Sequence, residues 1–124
     1  MDKRPYSIRM SNRQSGKADV LRGTLDLMVL QTLDSMGPQH GYAIATRLEQ
    51  ASHGALQLNM GTLYPALMRL EQRGLLRGVW GTTGNNRKAR FYSLTAAGRR
   101  QLAVDRQTWE QMAAIMDNVL RGQA

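Results

Sequence analysis

One stretch of this chain departs from the helical character of the rest. Leu75 to Trp80 and Lys88 to Leu94 carry Val, Trp, Phe and Tyr in short runs, and between them stand six turn formers, "GTTGNN", Gly81 to Asn86. Such runs around such a turn predict a β-hairpin. A single hairpin, set after three helical segments and before a fourth, leaves few architectures open.

The helical segments are bounded by their own punctuation. Asp19 to Met36 is apolar on most sides, which predicts a well-buried helix, and Gly37-Pro38 stops it. Gly41 to Ala51 carries an inner stripe of Ile44, Ala45 and Leu48 and is broken by Ser52-His53-Gly54. Ala55 to Leu58 suits a very short strand. In "GTLYPALMRLEQRGLL", Gly61 to Leu76, the residues Leu63, Leu67 and Leu70 commit one face to a core, and Gly74 ends the helix. Its start lies between Asn59 and Thr62. With Asn59 as the N-cap, Pro65 falls inside the helix and must bend it or displace a hydrogen bond. Thr95 is the expected cap of a last helix reaching about Arg121. There Leu102, Trp109, Met112, Met116 and Val119 recur at coiled-coil-like spacing.

The predicted order is helix, helix, short strand, helix, hairpin, long helix. This is a mainly α (α+β) fold, a winged helix-turn-helix. Residues 19–94 form the winged domain, residues 95–121 a long C-terminal dimerisation helix, and residues 1–18 a flexible basic arm. In such a plan the third helix enters the major groove of DNA and the hairpin turn reaches the neighbouring minor groove.

Charge agrees with that plan. The 124 residues carry 17 Lys+Arg against 9 Asp+Glu, a net charge of +8. From Gly61 to Arg100 there are eight basic residues and one acid, Glu71, so seven of the eight excess charges fall in a third of the chain. Such concentration points to a polyanion, of which nucleic acid is the commonest. There is no cysteine, which excludes a disulfide scaffold, a thiol nucleophile and Cys-ligated metals. His40 and His53 stand alone and make no metal site. "GTTG" lacks the lysine of a phosphate loop, and no catalytic triad or carboxylate pair is evident, so neither an enzyme nor a cofactor is expected. No apolar run is long enough to span a bilayer and no signal peptide is evident; a cytoplasmic location is expected.

The segments "LRGTLDLMVLQTL" (21–33), "GPQHGYAIATRLE" (37–49), "GTLYPALMRLEQRGLL" (61–76) and "NNRKARFYSLTAAGRRQL" (85–102) together resemble the PadR family of bacterial transcription regulators, in its short form with one C-terminal helix. The resemblance covers about residues 20–120. It implies a homodimer joined through the C-terminal helices, binding to a palindromic operator in double-stranded DNA, and repression relieved by a small aromatic or hydrophobic effector.

Candidate DNA-binding residues follow from the two readings together. Asn59, Thr62 and Tyr64 lie at the start of the recognition helix, where base edges are reached. Pro65 either touches a thymine methyl or only shapes the helix. Arg69 is a phosphate candidate. Tyr42 has two readings, a phosphate contact and a tyrosine closing the core. Asn86, Arg87, Lys88 and Arg90 mark the wing tip. Trp80 is expected to pack. Leu102, Trp109, Met112, Met116 and Val119 are the expected dimer seam, and the same ring and thioethers also suit an effector cavity. Two rival functions share these features: a non-specific or architectural DNA binder, separated by competition with unrelated DNA, and a protein-interaction module using the last helix, which would show no salt-dependent DNA binding.

Overall fold

A computed structural model describes residues 8–9 and 15–122, with side chains described for residues 23–122. The elements are β1 (Ile8–Arg9), α1 (Ser15–Met36), β2 (Gln39–His40), α2 (Gly41–Ala51), β3 (Leu56–Gln57), α3 (Met60–Gln72), β4 (Leu76–Thr82), β5 (Lys88–Leu94) and α4 (Ala96–Leu120). Helix α1 begins four residues before Asp19, within the stretch expected to be a flexible arm. Ile8–Arg9 of that stretch pairs in parallel with Leu56–Gln57. The rest of the arm, residues 1–7 and 10–14, lies outside the described residues.

Each helix supplies one apolar stripe to a single core. Leu25, Val29, Leu30 and Leu33 of α1 meet Ile44 and Leu48 of α2 and Leu63, Ala66, Leu67 and Leu70 of α3. Leu75 of the turn after α3, Leu76 and Tyr92 of the sheet and Leu102 of α4 close it. Thr32 is the buried polar residue of this core, and its hydroxyl donates to the Met28 carbonyl at 2.7 Å.

The hairpin extends into a three-stranded antiparallel sheet in the order β2-β5-β4. Gln39 and His40 stand opposite Tyr92 and Phe91, and Trp80 stands opposite Arg90. With only Pro38 between, the two-residue β2 follows the Gly37 stop, where φ is +77°, so the chain joins the sheet before α2 starts. His40 then caps α2 by accepting from the Ala43 N–H, and its ring meets Phe91 edge-on with centroids 5.4 Å apart.

Helix α4 leaves the sheet without a linker. Thr95 Oγ1 donates to the Gly74 carbonyl at 2.7 Å and accepts from the Gly98 N–H at 3.0 Å, while the Thr95 N–H donates to the Leu75 carbonyl at 3.1 Å. One residue thus ends β5, caps α4 and grips the turn after α3. The first turns of α4 pack down through Gly98 and Leu102, and beyond them the helix is exposed. Leu102 therefore belongs to the core of its own chain, 5% exposed, and not to the open apolar stripe with which its spacing groups it.

Candidate nucleic-acid interface

Helix α3 starts where its cap allows. The Asn59 side-chain oxygen accepts from the Thr62 N–H at 2.9 Å, and the Leu63 N–H closes the first helical bond onto the Asn59 carbonyl at 3.1 Å. Pro65 consequently sits inside the helix. Its missing N–H costs the Gly61 carbonyl its helical donor, and both residues are exposed, so that carbonyl is open to water. The bond is displaced at the solvent face while the buried ladder through Leu63 and Leu67 is untouched.

Beside this helix runs a groove of about 890 Å³, walled by α2, α3 and the wing. Tyr42 from the first turn of α2 and Tyr64 from α3 line it, with Trp80, Arg87, Lys88 and Arg90 from the wing. Tyr42 is 66% exposed, which discards the reading in which it closes the core. The two helices meet closely here: a Cβ on Gly41 would stand 2.8 Å from the Met60 terminal methyl and 3.4 Å from the Tyr64 ring.

The cations divide into two kinds. Arg87 and Lys88 are exposed and take part in none of the ion pairs among the described residues. Arg90 instead donates to the carboxylate of Glu71, the one acid of the basic region. That hydrogen bond holds the Arg90 pKa above its ordinary value, and burial pushes the Tyr92 phenol up, so neither changes charge near neutrality. Arg69 is likewise engaged, 3.0 Å from Asp26 of α1, and it ties α3 to α1 across the core rather than standing free for phosphate. The wing tip is built by its own turn: the Thr83 N–H donates to the Arg87 carbonyl at 2.8 Å and the Asn86 N–H to the Thr83 carbonyl at 2.9 Å. Asn86 adopts φ 61°, a left-handed turn conformation, and it is Thr83, Gly84 and Asn85 that line the groove.

A helix pair, a capped recognition helix and a basic wing on one face are the working parts of a DNA-binding domain. The model of the transcriptional regulator PadR-like family matches residues 29–104. The chain belongs to that family.

A PadR family transcriptional regulator from Eggerthella lenta is 34% identical in sequence and superposes with a TM-score of 0.68, over 86% of this chain and 90% of its own. A transcriptional regulator from Clostridium thermocellum superposes with a TM-score of 0.72 at 25% identity, over 81% of this chain and 96% of that one. A transcriptional regulator of Mycobacterium tuberculosis is 41% identical over 76 residues, 61% of this chain and 66% of that protein. The chain is thus a DNA-binding transcriptional regulator and not an enzyme. Among the described residues, no helix is long and apolar enough to cross a membrane.

The regulator's groove gathers Tyr42, Tyr64, Arg87, Lys88 and Arg90 and leaves Asn59, Thr62, Pro65, Arg69 and Asn86 outside its lining. His40, Trp80, Thr83, Gly84 and Asn85 join it unforeseen. The exposure of Trp80, 67%, differs from the packing expected of a strand aromatic. On that face the place above Gly78 is taken by the Arg90 guanidinium, so Trp80 meets a cation there and not the apolar core. Since Arg90 is paired and Arg87 and Lys88 are not, R87A/K88A should flatten the slope of log K against log salt by up to about 1.8, and R90A by much less. Equal slopes for the two variants, measured by anisotropy titration, would place phosphate contact elsewhere.

Proposed function

We propose that this regulator is a homodimeric repressor that reads a palindromic operator through the groove between α3 and the wing, and that an apolar effector relieves repression. The observation carrying the proposal is the convergence on one face of two exposed tyrosines from separate helices with the two unpaired cations of the wing. The tyrosines supply contacts that depend on the sequence of the duplex, and the cations supply affinity that does not. Dimerisation is supported by α4, on which Trp109, Met112, Met116 and Val119 are 49–64% exposed in one protomer. Val104, Ile115 and Leu120 widen that apolar surface.

Effector response is supported by a cleft of about 520 Å³ between α1, α2 and α4. Leu27, Met28, Leu48, Leu56 and Trp109 line it, with Arg47, Arg106 and Glu110 at hand. Trp109 belongs both to this cleft and to the exposed stripe, so an occupant of the cleft would bear on the spacing of two recognition helices. Met112 and Met116 do not line the cleft and serve the seam.

Footprinting on DNA upstream of the regulator's own gene, with and without small aromatic compounds, tests the whole reading: a symmetric protected site that is lost on adding one of them supports it. Unselective coverage of any fragment would favour an architectural role. Tyr64 gives the sharper mutational test. Y64A should weaken operator binding by roughly 1–3 kcal/mol while leaving binding to random DNA nearly unchanged. Circular dichroism first confirms the fold, since Tyr64 also packs near Gly41. Equal losses on both DNAs would make Tyr64 a positioning contact only.

A further inference from the structure

Trp80 has no role yet. It is a large apolar side chain, 67% exposed, on the wing of a basic domain. Leaving such a ring in water forgoes the stabilisation that burial brings. Its surroundings are nonetheless organised. The Arg90 guanidinium lies 5.9 Å from the centre of the Trp80 ring. That guanidinium is itself fixed by Glu71 of α3, and it lies across Gly78, where a Cβ would stand 2.5 Å from Arg90 Nε. A fixed cation thus steadies the indole, and the exposed remainder faces the groove shared with Tyr42, Tyr64, Arg87 and Lys88.

The charge of that neighbourhood decides the occupant. A purely apolar partner gains nothing from the exposed Arg87 and Lys88, whereas a duplex offers phosphates to the cations and deoxyribose to an aromatic ring in the same groove. Wings of this kind reach the minor groove, whose walls are lined by sugars and where apolar side chains pack or wedge. We propose that Trp80 is a DNA-contacting residue that packs its indole against the deoxyribose wall of the minor groove entered by the wing, with Arg90 as its positioning residue. This rests on the reading of the groove as the DNA face.

The contact is apolar, so its loss has a signature distinct from loss of a cation. W80A in the full chain should bind both sheared genomic DNA and a duplex selected from a random library roughly tenfold more weakly, with the salt slope unchanged. W80F, which keeps a ring, should recover most of that loss. Fluorotryptophan labelling of the intact protein gives one fluorine resonance for each of its two tryptophans, with Trp80 assigned by its disappearance in W80F. Saturating DNA should shift the Trp80 resonance and shield it from solvent. Unchanged affinity in W80A, a flattened salt slope in W80A, or a Trp80 resonance indifferent to DNA would each overturn the proposal. Failure of the unaltered protein to bind either DNA would overturn the reading of the groove as well.

Discussion

Replacing Gly98 by Ala is expected to cost about 3 kcal/mol of folding stability, because the added carbon has nowhere to go. An ideal Cβ at this position would stand 2.1 Å from the Leu75 carbonyl oxygen and 3.2 Å from Leu94 Cδ2. The first obstacle is backbone, and that backbone is pinned: the Leu75 carbonyl accepts from the Thr95 N–H, and the Leu75 N–H donates to the Leu70 carbonyl at 2.9 Å. Relief therefore requires α4 to lift from the sheet, which opens the Thr95 cap and uncovers Leu102. Thermal unfolding should show a Tm lower by roughly 10 °C. Gly23→Ala is the matched comparison, since a Cβ there meets nothing within 4 Å. As an exposed site inside α1 it should gain about 0.5–1 kcal/mol. Equal stability of G98A and the unaltered protein would show that α4 does not rest on the Leu75 carbonyl.

Trp109→Ala should weaken self-association by about 2 kcal/mol, or roughly thirtyfold in the dimer dissociation constant. Trp109 is 52% exposed in one protomer and stands first on the open stripe that continues through Met112, Met116 and Val119. Analytical ultracentrifugation over a concentration series measures the effect directly. Leu102→Ala provides the contrast. Leu102 is buried within its own chain, so its truncation should lower folding stability by about 2–5 kcal/mol. A protein that sediments as a monomer at micromolar concentration with Trp109 intact would remove the dimer from this reading.

Much of the fold was legible because its signals are local. Asn59 before α3, Thr95 before α4 and Gly74 after α3 act within one turn of themselves, and their caps and stops lie where the residue types place them. The apolar stripes of α2 and α3 needed only their own period. What escaped depends on partners far away in the chain. Strand β2 has two residues and exists because Tyr92 and Phe91 lie beside it. Arg69 is diverted by Asp26, 43 positions earlier, and Arg90 by Glu71, 19 positions earlier. The isolation of Glu71 among basic residues was visible, but not the cation it would hold. Leu102 shares the period of the α4 stripe, and only the seating of Gly98 on the sheet shows that the helix is still inside the body at that point.

The direct passage from Leu94 through Thr95 to Ala96 has a mechanical consequence. With no slack between sheet and rod, a tilt of α4 cannot be absorbed at the joint and must be transmitted to the body that bears α3. The 25 residues of α4 make a shaft of about 37 Å, so a swing of roughly 5° at one end moves the other by about 3 Å. A change in the angle at which the far end of this shaft is held would therefore reorient the body that carries α3 as a unit.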